Sequence, residues 1–265
     1  MEGWVLLLFG ALFFPAVYTV LSRFLDVKYS KFLNLADRYL ITEKCVSSVQ
    51  AILATFAGYL ITQRCNQNIM ADISPITKSY ACFGLPYFLY DIWAIYNTHY
   101  YINEEVLQSK SRHSRRIHFI RKNIAMLVHH IVLPFIFFPI IMFLRNDKGD
   151  YFVGLFYMCE AAVPFISLRF VLAQLNQKHT AAYIFTGVMM IVVFFIVRVC
   201  IFPFLYWKYS DFSGIPLSSV PFHIPLKCNA GCLVFLVVQV YFLYIMVHGA
   251  VKFFYKIFVL KSKGR

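Results

Sequence analysis

Apolar residues fill this chain in seven blocks, each close to the roughly 20 residues a helix needs to cross a bilayer. The blocks cover about 3–22, 39–62, 79–101, 124–144, 150–174, 181–206 and 229–257, and polar residues separate them. The pattern predicts an all-α fold, a multi-pass transmembrane helical bundle or barrel of about seven helices. The second and fifth blocks carry charge and are the least uniform. The first is read as a retained span rather than a signal peptide. Glu2 stands where a basic residue is expected, and no small-residue cleavage site precedes Arg23. The connections 102–123 and 207–228 are too short for a separate soluble domain. The first, with Ser109-Lys-Ser-Arg-His-Ser-Arg-Arg, reads as a mobile cytosolic loop or a headgroup-binding strip. The second holds Pro216, Pro221 and Pro225 and reads as an irregular lumenal connection.

Composition agrees with this reading. Hydrophobic residues make up 60% and charged residues 14%, whereas soluble domains average about 45–50% and about 25%. The formal charge of +13 does not point to nucleic acid, because the basic residues sit mostly in short segments between apolar blocks. Topology and anionic headgroups account for them there. Two Lys or Arg follow each even-numbered block, and the segments after the first and third are richer. That bias predicts a lumenal N-terminus and a cytosolic C-terminus. The cysteines form no Cys-x-x-Cys pair, so they read as reduced packing thiols rather than a zinc site.

Candidate chemistry lies inside the blocks. His129 and His130 are adjacent in the fourth, Asp91 is in the third and Glu160 in the fifth. Ionisable residues within a span are functional candidates by default. Counted from the cytosolic ends, the histidines lie about 10 Å deep, Asp91 about 15 Å and Glu160 about 20 Å at 1.5 Å per residue. Such depths allow one shared cavity. A histidine there can accept a proton or be acylated, and a carboxylate can orient its ring. Neighbours on a helix diverge by about 100°, so one ring is expected to face the reacting carbon and the other a carboxylate or the cavity wall. Adjacent histidines are poor geometry for one metal ion, so no metal is expected. Arg198 can snorkel, pair with a carboxylate or bind a lipid phosphate, and pairing is the commoner case. Arg169, and Glu43 with Lys44, read as interfacial. Pro134, Pro139, Pro164 and Pro203 kink helices and can open a cavity.

The ordered set of His129-His130, Glu160, and Arg198 ahead of Phe202-Pro203 resembles the TLC-domain family, which includes the ceramide synthases. Pro86-Tyr87 with Tyr90-Asp91, Lys148-Gly-Asp-Tyr-Phe152 and Gln177-Lys-His-Thr180 add to the likeness, which is nearest to the TLC-domain-containing protein 3 subgroup. It implies a first helix and cytosolic linker at 1–34, a TLC domain at 35–257 and a basic cytosolic tail at 258–265. It implies a helical barrel around a lipid cavity, and transfer of an acyl group from acyl-CoA to a sphingoid-base amine. Acyl-CoA is then a co-substrate, and no bound cofactor is expected. His129 and His130 match the family's catalytic pair, with Glu160 and Asp91 as supporting carboxylates and Arg198, Tyr157 and Tyr87 as lipid-binding residues. Glu160 falls where the synthases carry the second aspartate of Asp-x-x-Asp, and Tyr157 replaces the first. The alternative is a non-catalytic lipid binder, sensor or regulator. Membrane lipids, acyl-CoA and a sphingoid base are the expected partners, with homo-oligomers or hetero-oligomers with ceramide synthases. Lys261 and Lys263 resemble a dilysine retrieval signal, which implies the endoplasmic reticulum membrane, with the Golgi as the alternative.

Overall fold

A computed structural model describes the backbone of residues 2–263 and the side chains of residues 3–255. The side chains of Lys261 and Lys263, and with them the retrieval signal, lie outside the described residues. The described residues form helices and no strand. Backbone groups inside a bilayer must pair within their own segment, which a helix achieves.

Seven long helical units carry the fold. They are α1 (Glu2–Tyr29), α2 (Leu35–Arg64), α3 (Pro75–Ile102), α5 with its extension (Arg112–Leu144), α6–α7 (Asp150–Gln174), α8–α9 (Ala181–Ser213) and α11 (Leu226–Lys263). Short helices α4 (Glu104–Leu107) and α10 (Val220–His223) lie in connections. Six units are long and apolar enough to span a membrane, and the chain is a multi-pass helical membrane protein. The exception is α3. Its 28 residues equal α1 in length, but Lys78, Asp91, Asn97 and His99 interrupt its apolar surface. It packs between α1 and α2; Asp91 turns toward Ser47 of α2, Lys78 pairs with Asp147 ahead of α6, and His99 meets His118 and Asn123 of α5.

Close packing relies on small residues, as bilayer helices do. Gly10 of α1 meets the backbone of Phe83 in α3, and Gly58 of α2 meets that of Gly154 in α6. Phe14, Tyr18, Tyr87 and Tyr90 fill the α1–α3 contact. At the start of α2, Asn34 and Asp37 form a reciprocal capping box, and Asp37 also accepts from Gln174 Nε2 at 2.8 Å. At the opposite end of the bundle Asp150 accepts from Ser74 N and Thr77 Oγ1, both at 2.8 Å, and pairs with Arg145. These contacts tie the α5–α6 turn to the start of α3.

Two connections differ from their sequence reading. The basic segment read as a loop is helical from Arg112, with the Ser111 hydroxyl accepting from Ser114 N. An amphipathic helix has too many charges to register as an apolar block. In the 207–228 connection, α9 runs on to Ser213 and stops at Gly214, whose φ of 70° is the left-handed cap geometry.

Candidate functional site

The site is built around prolines. Proline lacks an N–H and its ring clashes with the carbonyl four residues earlier. Pro134 acts in this way on His130, Pro164 on Glu160 and Pro203 on Val199, next to Arg198. The helices loosen at these points. Leu133–Phe137, Ile140–Leu144 and Phe195–Val199 widen to π turns, while Cys159–Ala162 tightens to a 3₁₀ turn. Widened turns of this kind are frequent at functional sites.

Between these turns lies a cavity of about 260 Å³. His129, Tyr157, Glu160 and Arg198 line it, joined by Gln50, Tyr80 and Gln239. The rest of the wall is apolar, with Leu133, Phe137, Phe156 and Phe202 among its members. Arg198 is held on two sides: Nε donates to Cys159 O at 2.9 Å, and Nη2 lies 3.2 Å from Glu160 Oε1. The arginine therefore pairs with a carboxylate and still reaches the cavity. Tyr157 donates to Thr77 O at 3.0 Å and meets Tyr80 edge-on, with centroids 5.0 Å apart. Gln50 Nε2 lies 3.4 Å from Tyr80 Oη, which in turn donates to Gln50 O at 3.2 Å. Gln239 Oε1 is buried with no partner among the described residues.

His130 faces elsewhere, as the divergence of neighbouring helix positions requires. Its Nε2 lies 3.5 Å from Asp91 Oδ2, and Asp91 is only 2% exposed. The Ser47 hydroxyl, which donates to Glu43 O at 3.0 Å, lies 3.4 Å from Asp91 Oδ1 and accepts from Tyr87 Oη at 3.1 Å. Glu43, also 2% exposed, pairs with Lys44 Nζ at 2.7 Å. Lys44 in turn lies over the Phe170 ring, 5.2 Å from its centroid. His130 Nδ1 has no partner among the described residues.

The expected constellation thus falls into two adjoining parts. His129, Glu160, Arg198 and Tyr157 line the cavity. His130, Asp91 and Tyr87 form a buried polar cluster behind it. Tyr87 does not line the cavity, because its face of α3 packs on Phe14 and Ser47. Glu43 is not interfacial either: it sits inside the bundle with Lys44. Arg169 lies against the Tyr183 ring, 4.1 Å from its centroid, and donates to Tyr183 O at 3.1 Å.

Sequence reading missed Ser47, Gln50, Tyr80 and Gln239. A signal for two of them existed. Glu43, Ser47, Gln50 and Ala54 are spaced 4, 3 and 4 apart, which places them on one face of α2. Among the described residues, no three His, Cys, Asp or Glu side chains gather closely enough to hold a metal ion.

Fold and site together define a membrane-embedded helical protein with a mostly apolar internal cavity and a few converging polar groups, the usual form of a small-molecule site. The TLC domain matches residues 40–248, most of the chain and every residue lining the cavity. The chain belongs to the TLC-domain family, and its biology is that of a membrane lipid-related protein. No solved structure matches it.

Proposed function

We propose that this chain is a ceramide-synthase-like N-acyltransferase that moves an acyl group from acyl-CoA to a sphingoid-base amine. One observation carries the reading: His129 opens on an apolar cavity that also holds Glu160 and Arg198. In this scheme His129 takes a proton from the attacking amine as its nitrogen bonds to the thioester carbonyl carbon. The C–S bond breaks, and coenzyme A leaves as the thiol with that proton. Arg198 fixes Glu160 against the lipid polar group, with Tyr157 beside it. His130 and Asp91 act from behind by holding the helix turn that presents His129. The cavity is slightly below the usual range of about 300–1,000 Å³ for ligand pockets, so it suits the reacting end of a chain whose tail stays in the bilayer. Residence in the endoplasmic reticulum, or in the Golgi as the alternative, belongs to the same proposal. So do a cytosolic C-terminus and assembly with further copies or with ceramide synthases.

A second reading is a non-catalytic lipid binder or regulator, in line with Tyr157 at the position of the synthases' first aspartate and with Glu160 engaged by Arg198. Purified protein given sphinganine and long-chain acyl-CoA separates the two. The catalytic reading expects ceramide from wild type and at least a ~100-fold fall for His129→Ala, within the usual range for a general base. Retained lipid without product in either protein establishes the second reading instead.

A further inference from the structure

The first three turns of α5 contribute nothing to the cavity. Arg112, His113, Arg116, Ile117, Ile120, Arg121 and Lys122 are exposed there. At 100° per residue, Ile117 and Ile120 lie about 60° apart, and Arg116 and Arg121 flank that pair by about 40° on either side; exposed Ile124 follows just past the break at Asn123. The three isoleucines are 38%, 46% and 53% exposed. The opposite face is already occupied. Phe119 meets Tyr96 edge-on at 5.2 Å between centroids, His118 Nδ1 lies 2.9 Å from His99 Nε2, and Arg115 donates to Gln108 O and Lys110 O. The isoleucine stripe therefore faces away from the protein.

Clustered isoleucines are costly in water. Set between arginines, they have the layout of a helix lying in a membrane interface, with the apolar side at the acyl boundary and the guanidinium groups raised to the headgroups. Chain continuity fixes the location. After Asn123, whose φ of −121° and ψ of 19° break the helical run, the same unit enters the apolar stretch that crosses the bilayer. Basic clusters immediately beside a span draw anionic lipid.

We propose that the outer face of Arg112–Ile124 is a docking surface for anionic phospholipid headgroups of the adjacent leaflet. Arg112, Arg116 and Arg121 supply the charge, and Ile117, Ile120 and Ile124 supply the insertion. The surface is separate from the cavity and from the acyl-transfer reading.

The test uses the full chain reconstituted in phosphatidylcholine bilayers containing phosphatidylserine. Spin-labelled phosphatidylserine and phosphatidylcholine report which lipid the protein holds at its boundary. Wild type is expected to favour phosphatidylserine several-fold at low salt, each basic residue near the surface being worth about fivefold at most. The preference should shrink at about 0.5 M salt, where screening lengths are only a few ångströms. The R112Q/R116Q/R121Q variant is expected to lose most of it. The R64Q/K148Q/K227Q control removes equal exposed charge, scattered over three connections at the other end of the bundle, and should keep it. No preference in wild type, an unchanged triple variant, or an equal loss in the control would each overturn the proposal. Turnover plays no part in the readout.

Discussion

Glu43 and Lys44 sit within the bundle, 2.7 Å apart and close to Asp91. Breaking a buried pair by removing one partner costs about 3–5 kcal/mol, whereas replacing both can be neutral. Glu43→Gln is therefore expected to lower thermal stability in detergent by about that amount, and adding Lys44→Met to recover most of it. The two histidines should separate in the same way. His130→Ala leaves Asp91 without its ring partner and should lower the melting temperature. His129→Ala, at the cavity wall, should leave the melting temperature near wild type and change lipid handling. Both outcomes are read from melting curves set beside lipid-retention or turnover assays. The histidines, Glu160 and Arg198 were legible in the sequence because each is conspicuous in an apolar block. Ser47 and Gln50 were marked only by their spacing from Glu43 along one face of α2, and Tyr80 not at all, because tyrosines are common in membrane helices and their interfacial belts.

Helix contacts depend on absent side chains. A Cβ on Gly58 would strike Gly154 O and come within 2.8 Å of Met158 Cγ, and one on Gly154 would meet Gly58 O at 2.9 Å. Alanine in place of glycine gains about 1 kcal/mol of helix propensity, but forcing packed backbones apart costs about 1–3 kcal/mol. Because the obstacle is backbone, which cannot rotate away, Gly58→Ala is expected to destabilise by up to about 2 kcal/mol net. A melting temperature above wild type would refute that close approach. Hydropathy located the long helices well. It missed the start of α5 because Arg112–Lys122 is amphipathic, and it did not show how the polar residues of α3 are met, Asp91 by α2, Lys78 by Asp147 and His99 by α5. Which helix packs on which is set by complementary shapes such as Gly58 on Gly154, and a linear apolar pattern carries no record of them.

At the scale of the whole molecule, the prolines, the loosened turns and the polar groups they carry surround one cavity. Ala54, fully buried on α2, forms part of its wall. Ala54→Phe adds bulk there, so the variant is expected to fold and to retain less co-purifying lipid, as read by mass spectrometry of the purified protein. The central claim is that a lipid chain lies beside His129, Glu160 and Arg198. Its most direct test is photo-crosslinking with a diazirine-bearing sphingoid base or fatty acid, followed by peptide mapping. Adducts are expected on Leu133, Phe137, Phe156 or Phe202, and they should be suppressed in Ala54→Phe. Adducts confined to outward residues such as Trp4, Leu12, Val237 and Tyr244, with none on the cavity wall, would contradict the claim.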